Sequence, residues 1–275
     1  MRHAGNNFFS AIFLQTMENR LGLYGSVFSV FLLVGNCGIP KVVRVPLTPE
    51  KIQQSAQLVR EGDQFFTRKE FYPALGKYVE AAKINPNNEY TFNKMGISYS
   101  ALGFFGEAEQ AVKRSLALND KYFYAYNNLG TVYFAQGDLG KAIHYFRTAI
   151  KMAPKVASFY VNLGQVYLEK NDFPKAMEAL RQAKKLDPAV MDKDSSLMIP
   201  SPRGKPNPEK SYSLARIFAA SGDVEKTIKH LQDAIRYGFT HLEWVDSEPD
   251  FDAIRSNTDF ALFYSEARLK YRAAP

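Results

Sequence analysis

Cysteine and histidine, which supply most metal sites and many catalytic groups, are scarce in this sequence. The 275 residues include one cysteine and four histidines. They are Cys37, His3, His144, His230 and His241. A single cysteine can form neither an internal disulfide nor a thiolate zinc site, and the histidines do not have the spacing of a metal-ligand motif. We therefore expect no metal site.

Signatures of catalysis and of nucleic-acid binding are also missing. There is no Gly-x-x-x-x-Gly-Lys phosphate loop and no Gly-x-Ser-x-Gly nucleophile turn, so we expect no cofactor and no enzymatic activity. The formal net charge is +7, but basic residues alternate with acidic ones, as at Glu107, Glu109, Lys113 and Arg114. Without a concentrated stripe of arginine and lysine to follow phosphates, we expect no nucleic-acid partner.

What the chain does have is a repeat with a period of 34 residues, marked by Gly62, Gly96, Gly130 and Gly164. Each of the last three glycines follows an aromatic residue by four positions and precedes a tyrosine by three. A fixed period of this length predicts stacked helical hairpins rather than one globular core. Such a chain presents, before anything else, a binding surface.

Seven positions agree in all four copies when the copies are numbered from Ser55, Glu89, Phe123 and Ala157. Position 8 is the glycine, positions 4, 11 and 24 are bulky, positions 20 and 27 are small, and position 32 is a turn residue. In chain order these residues are Leu58, Phe92, Tyr126 and Tyr160 at position 4; Phe65, Tyr99, Tyr133 and Tyr167 at position 11; Ala74, Ala108, Ala142 and Ala176 at position 20; Tyr78, Val112, Phe146 and Leu180 at position 24; Ala81, Ser115, Ala149 and Ala183 at position 27; and Pro86, Asp120, Pro154 and Pro188 at position 32.

The seven positions have a common physical logic. Two antiparallel helices can approach closely only where side chains are small, so the glycine and the two small positions mark a crossing. The bulky residues fill the space around it on one helical face. Proline near position 32 cannot continue the second helix, and Gly103 and Gly137 fall where the hairpin must turn.

This pattern resembles the tetratricopeptide repeat, with four nearly complete copies over residues 55–190. Asp120 departs from the proline of the other copies, although Asn119-Asp120 is itself a turn-forming pair. The resemblance implies an all-α fold, a right-handed solenoid of antiparallel helical hairpins whose first helices line the concave side. It also implies a protein that binds other proteins or peptide segments.

The period breaks after residue 190. Residues 191–207 are rich in proline, serine and charge, which is typical of a loop. Residues 208–238 have the pattern of a degenerate fifth repeat, in which Thr227 replaces the alanine of position 20. We expect this fifth hairpin to continue the solenoid.

Residues 239–275 lack a crossing glycine and resemble the closing segment of bacterial arrays of this type. A solenoid needs such a helical cap because its last repeat has an apolar face without a neighbour. We expect Trp244, Phe251, Phe260 and Phe263 to anchor the cap, with Trp244 in the core rather than at a ligand site.

The first 36 residues have the composition of an export signal. No charged residue occurs from Leu21 to Pro40, and residues 21–35 are strongly apolar. That length suits the core of a signal peptide and is marginal for a membrane span. The string Leu33-Val34-Gly35-Asn36-Cys37 resembles a bacterial lipoprotein signal, in which the cysteine is lipidated, although Asn36 departs from the usual small residue.

We therefore interpret residues 1–36 as a signal peptide or hydrophobic leader that precedes a lipidated Cys37, and residues 37–54 as a linker and N-terminal approach to the repeats. An uncleaved membrane anchor and a cleaved or buried segment remain as alternatives. Initiation at Met17 would give a more ordinary signal length, so we expect Met17 to be the true start.

The resemblance places positions 2, 5, 6, 9, 12 and 13 of the first helices on the concave side. Asparagine there can pair with a peptide backbone without reading its sequence, tyrosine offers rigid amphipathic contact, and basic residues can bind a carboxylate. The later repeats lack a second basic pair, so we expect an extended internal segment rather than a free C-terminus. The expected contacts are Arg60, Tyr90, Asn93, Lys94, Tyr124, Asn127, Asn128 and Asn162.

The sequence as a whole predicts a scaffold that holds partner proteins at a bacterial cell envelope, anchored in the outer membrane or facing the periplasm through Cys37 or the leader. Two alternatives stay open: a membrane-tethered adaptor that faces the cytoplasm, and an accessory subunit of an enzyme or secretion complex. The architecture also allows self-association, because an incompletely capped array can stack end to end.

Overall fold

The computed structural model describes Val42, residues 44–190 and residues 207–272, and the regular structure in these residues is helical. The helices are α1 (Pro49–Thr67), α2 (Phe71–Ile84), α3 (Glu89–Ala101), α4 (Phe105–Leu118), α5 (Phe123–Ala135), α6 (Leu139–Met152), α7 (Ala157–Glu169), α8 (Phe173–Leu186), α9 (Pro208–Ala220), α10 (Val224–Arg236), α11 (Trp244–Ser247) and α12 (Thr258–Arg272), with a 3₁₀ turn at Pro249–Phe251. The expected signal peptide, Cys37 and most of the expected loop 191–207 lie outside the described residues. Within the part of the chain that is described, no helix combines the length and the apolar character needed to cross a bilayer.

Consecutive helices pair as antiparallel hairpins, from α1 with α2 to α9 with α10, and each second helix packs on the next hairpin within residues 49–186. The first helices also contact each other across the repeats, α3 with α5 and α5 with α7. First helices that approach one another in this way lie on the inner side of the curve. The predicted all-α, right-handed solenoid of hairpins is thus confirmed.

The crossing inside each hairpin is as close as the small residues predicted. A Cβ atom added at Gly62 would lie 2.6 Å from Tyr78, one at Gly130 2.8 Å from Phe146, and one at Gly164 2.6 Å from Leu180. Position 20 and position 27 residues are completely buried in all four repeats. The glycine therefore provides the space that the bulky residue at position 24 fills.

The turn between the two helices has one backbone conformation in five hairpins. Gly103, Gly137 and Gly222 have φ of 84°, 81° and 76°, and Lys69 and Asn171 adopt the same left-handed region with φ of 61° and 60°. Each turn is closed by an amide N–H that donates to the carbonyl of the aromatic residue five positions earlier. These pairs are Glu70–Phe65 (3.0 Å), Phe104–Tyr99 (2.9 Å), Asp138–Tyr133 (2.9 Å), Asp172–Tyr167 (2.9 Å) and Asp223–Phe218 (3.0 Å).

The first helix starts earlier than the repeat pattern indicated. Helix α1 begins at Pro49, so residues 49–54 of the expected linker and N-terminal approach are helical. The local reason is a conventional helix start. The Thr48 side chain accepts a hydrogen bond from the Lys51 N–H, and proline is well suited to the first helical position.

The C-terminal segment packs on the fifth hairpin through a core of its own, which includes Leu242, Val245, Phe251 and Phe260. Phe251 and Phe260 are buried, as expected of cap anchors. Trp244 is different: 44% of it is exposed, and its ring stacks on the exposed His241 at 4.5 Å. The prediction that Trp244 lies in the core is wrong, because the short helix α11 turns the neighbouring Val245 inward instead.

Gly130→Ala should lower the free energy of unfolding by ~1–3 kcal/mol, the usual range for overpacking a filled core. The new methyl group would meet the Phe146 ring at 2.8 Å, and Phe146 is fully buried and cannot move aside. Guanidinium unfolding followed by circular dichroism would measure the change.

Gly76→Ala is the matched control, since Gly76 lies within α2 and an added Cβ would meet nothing within 4 Å. It should raise stability by ~0.5–1 kcal/mol, because alanine is the better helix former. If Gly130→Ala and Gly76→Ala lowered the free energy of unfolding equally, the close crossing at Gly130 would be contradicted.

Candidate functional site

The concave surface carries a row of asparagine side chains that bond to one another across the repeats. Asn128 Nδ2 donates to Asn93 Oδ1 at 2.8 Å, joining α5 to α3. Asn162 Nδ2 donates to Asn127 Oδ1 at 2.9 Å, joining α7 to α5. A longer contact of 3.4 Å from Asn127 Nδ2 to Asn128 Oδ1 completes the asparagine row.

Burial within the asparagine row is uneven. Asn93 and Asn162 are only 3% and 8% exposed, whereas Asn127 and Asn128 are partly exposed. Of the four asparagines expected to contact a ligand, Asn93 and Asn162 are therefore buried and Asn127 and Asn128 remain accessible. The two outer residues serve as fixed partners, and the two central residues keep unused donor and acceptor capacity, since each amide has two N–H groups and an oxygen with two lone pairs.

A second polar cluster surrounds Asp63, on the first helix of the first hairpin. Its carboxylate accepts hydrogen bonds from the Tyr78 hydroxyl at 2.7 Å and from the Tyr90 hydroxyl at 3.0 Å. It also forms an ion pair of 3.0 Å with Lys94 Nζ. Asp63 thus ties α2 and α3 to α1 through three separate side chains.

Burial is the main cause that raises the pKa of Tyr78 and of Tyr90 well above the usual range. The negative charge and the hydrogen bonds of Asp63 act in the same direction, because a tyrosinate beside a carboxylate would be repelled. Both hydroxyls therefore stay protonated and donate to Asp63 at physiological pH.

The Asp63 cluster changes the expected role of Lys94. Its ammonium group lies 3.0 Å from Asp63 and 4.7 Å from the centre of the Phe66 ring. Arg60, for its part, donates to Gln57 at 2.6 Å. Lys94 is thus neutralised within the protein, whereas exposed Arg60 keeps its charge beside a neutral amide.

The expected tyrosines are arranged in two different ways. Tyr124 is 46% exposed, and its ring packs against Phe123 at 4.5 Å and Phe159 at 5.8 Å. Tyr90 is partly buried and its hydroxyl is used by Asp63. Tyr124 is therefore the aromatic side chain of the expected set that is open to a partner.

Sequence reasoning missed Asp63, although a signal existed. Asp63 is at position 9, one of the positions assigned to the concave side, and Tyr90 and Lys94 are at positions 2 and 6 of the next copy. Neighbouring first helices bring these positions together. Among the described residues, no group of three or more histidine, cysteine, aspartate or glutamate side chains is placed to hold a metal ion.

Comparison with known families identifies the repeats. Two models of the tetratricopeptide repeat match the chain, one over residues 88–155 and the other over residues 128–190. The structure has hairpins throughout both stretches. Residues 88–190 are therefore tetratricopeptide repeats, as the spacing of Gly96, Gly130 and Gly164 indicated.

Among curated proteins, the chain is 32% identical over 110 residues to Outer envelope protein 64, chloroplastic, of Arabidopsis thaliana. That stretch is 40% of this chain but 16% of the relative. The chain thus matches a small part of that protein.

Solved structures of similar fold include TTC0263, a thermophilic tetratricopeptide-repeat protein of Thermus thermophilus, with 19% identity and a TM-score of 0.49 over 78% of this chain and 99% of that one. They also include the second tetratricopeptide domain of human RPAP3 in complex with the HSP70 peptide SGPTIEEVD, with 20% identity and a TM-score of 0.40 over 42% of this chain and 97% of that one. These likenesses concern the fold alone.

Asp63→Asn should lower the free energy of unfolding by ~1–3 kcal/mol at neutral pH, because it removes the ion pair and leaves polar groups imperfectly paired. The difference in free energy of unfolding between the variant and the parent should become smaller above pH ~10. There the unfolded chain ionises its tyrosines while native Tyr78 and Tyr90 stay protonated, so the parent loses stability as pH rises toward their raised pKa values. In the variant the pKa values of Tyr78 and Tyr90 should be raised less, so the variant should lose less stability over the same pH range.

Urea unfolding at neutral and alkaline pH would measure both effects. Glu61→Gln is the control, since Glu61 pairs with Lys77 at 2.8 Å and accepts from no tyrosine. Its effect should stay within ~0.5 kcal/mol at either pH. A pH-independent loss in Asp63→Asn would exclude the tyrosine coupling.

Proposed function

We propose that this chain is a non-enzymatic scaffold that binds an extended segment of a partner protein in its concave groove. The observation that carries the proposal is the asparagine row, with partly exposed Asn127 and Asn128 held by buried Asn93 and Asn162. Amides whose orientation is set in advance can bond to a peptide backbone with little further loss of side-chain freedom.

The groove favours a backbone over a carboxylate. Lys94 is neutralised by Asp63 and Arg60 is bonded to Gln57, while the centre of the surface offers the neutral amides of Asn127 and Asn128. An acidic C-terminus would meet one unneutralised cation among the expected contacts, exposed Arg60, which lies two repeats from Asn127 and Asn128. The ligand class that fits is an internal segment in extended conformation, with an apolar or aromatic side chain against exposed Tyr124.

We further propose that the protein works at a bacterial membrane, held there by the leader or by lipidated Cys37. The support is the apolar run of residues 21–35 followed by the lipoprotein-like string that ends at Cys37. Several acyl chains anchor a protein stably, whereas one chain holds it only marginally. The Arabidopsis relative is, by its name, an outer envelope protein, which agrees with a place at a membrane.

Two other functions remain alternatives. A membrane-tethered adaptor that faces the cytoplasm would keep its leader uncleaved. An accessory subunit of an enzyme or secretion complex would co-purify in fixed ratio with a catalytic or channel-forming chain. The groove would serve in either case, because the fold specifies how a segment is bound and not which process uses it.

The double variant Asn127→Ala with Asn128→Ala should lose the partner while it keeps its helices. It removes the two exposed members of the asparagine row and leaves the crossing positions untouched. Crosslinking in native membranes, followed by pull-down and mass spectrometry, would compare it with the parent, and circular dichroism would confirm folding.

The matched control is His144→Ala with Arg147→Ala, two exposed residues on the second helix of the same repeat. It should recover the same partners as the parent. If the asparagine variant retained its partners, the groove would not be their binding site. If the groove does bind the partner, segments mapped from the crosslinks should bind equally well as free acids and as C-terminal amides, because the groove binds the peptide backbone and not a terminal carboxylate.

The parent chain should incorporate labelled palmitate in a bacterial host, and Cys37→Ser should abolish that incorporation. Residue 37 precedes the first helix at Pro49, so the substitution should leave the thermal unfolding curve unchanged. Label that persists in the variant, or that is absent from both, would contradict lipidation at Cys37. An intact mass that includes the leader would favour the cytoplasm-facing adaptor.

A further inference from the structure

The segment that precedes α1 is tied along one edge of the solenoid. Asn87 Nδ2 donates to the Val45 carbonyl at 2.6 Å, and the Val45 N–H donates to Asn87 Oδ1 at 3.0 Å. Farther along, Arg44 Nη2 donates to the carbonyl of Leu118, the last residue of α4, at 3.1 Å. Residues 44–48 thus run from α1 back across the second repeat.

This edge is formed by the loops that join one hairpin to the next, residues 85–88, 119–122, 153–156 and 187–190, and is called here the inter-repeat edge. Because Arg44 lies against the end of α4, the N-terminal segment reaches Arg44 at the middle of this edge and not at the end of the array. An extended chain from Cys37 to Val45 spans at most roughly 30 Å. A lipid anchor at Cys37 would therefore keep Val45, and with it the inter-repeat edge, within roughly 30 Å of the bilayer.

Exposed lysines are repeated along the inter-repeat edge. Lys151 and Lys185 occupy position 29 of their repeats, in the last turn of the second helix, and Lys121 and Lys155 occupy position 33, in the loop that follows. None of the four forms a salt bridge with a described residue. The acidic residues at this edge are Asp120 and Asp187 in the loops and Glu50 and Glu89 in the first turns of α1 and α3. They are outnumbered by the four lysines together with Arg44, Lys51 and Lys83.

Two exposed apolar side chains accompany these lysines. Val45 on the tied segment is 50% exposed, and Met152 at the end of α6 is 38% exposed. A mixture of basic and apolar groups at one edge suits the headgroup region of a membrane, where lysine stems and apolar side chains can both be accommodated.

The opposite edge, formed by the turns within the hairpins, has a different charge pattern. Its aspartates begin the second helices and pair with the lysine three residues on: Asp138 with Lys141 at 2.9 Å, Asp172 with Lys175 at 2.6 Å, and Asp223 with Lys226 at 3.2 Å. Charge on this edge is largely neutralised in place. Lys69 and Lys170 at the hairpin turns also form no salt bridge with a described residue, so the edge from which the N-terminal segment departs differs in its net excess of positive charge.

We propose that the inter-repeat edge lies against a membrane surface rich in anionic phospholipid, with Lys121, Lys151, Lys155 and Lys185 directed at the headgroups. The inference rests on the membrane anchor of the proposed function and is independent of what the groove binds. It orients the solenoid edge-on, so that the concave groove opens sideways, parallel to the bilayer, rather than toward it or away from it.

The test uses the full chain, reconstituted into vesicles of phosphatidylcholine alone or of phosphatidylcholine with phosphatidylglycerol, and floated to select bound protein. Brief acetylation followed by mass spectrometry gives the reaction rate of each lysine. Lys69 and Lys170, exposed on the hairpin-turn edge, are internal controls in the same molecule.

In the anionic vesicles the four edge lysines should react about fivefold more slowly than in phosphatidylcholine, as ~1 kcal/mol per lysine near such a surface implies. Lys69 and Lys170 should be unchanged. Salt at ~1 M, where the screening length is about 3 Å, should restore the rates. Equal protection of both edges, or of neither, would overturn the orientation. Failure to float would overturn the anchor itself, whereas the groove is judged separately by the asparagine variant.

Discussion

The close approach of two helices at each glycine is the constraint on which the rest of the structure depends. Gly62, Gly96, Gly130 and Gly164 leave space that a bulky residue of the second helix fills. This contact fixes the angle of each hairpin, and four similar hairpins then stack with a constant offset. The same offset brings the first helices side by side, which allows one asparagine to reach the next across a repeat boundary. The asparagine row on the concave surface is a consequence of how closely neighbouring first helices approach each other.

Polar groups on the inner surface are largely satisfied by one another. Asp63 engages two tyrosines and Lys94, and the asparagines form a row. Internal pairing lowers the net charge that the groove presents and holds side chains in place before a ligand arrives. Such a surface selects by shape and by backbone hydrogen bonds more than by charge. Its chemistry differs from that of a site built to bind a terminal carboxylate.

Charge is instead concentrated at an edge, and it becomes visible only in the folded chain. Lys121, Lys155 and Lys185 are separated along the sequence by stretches that contain acidic residues, so the sequence shows a scattered balance of charges. Folding places equivalent positions of successive repeats in line. It also assigns each hairpin-turn aspartate a nearby lysine partner, which leaves the inter-repeat edge with the excess.

The sequence by itself determined the hairpins, their number from residue 55 to 190, the crossing positions and the glycine turns, because these depend on local spacing and on the size of single side chains. It also indicated which helix positions are concave. Only the tertiary structure decided that Asn93 and Asn162 are buried partners, that Asp63 neutralises Lys94, that Trp244 is half-exposed, and that Arg44 ties the N-terminal segment to α4. These outcomes depend on which side chains from different repeats meet, and a repeat period does not contain that information.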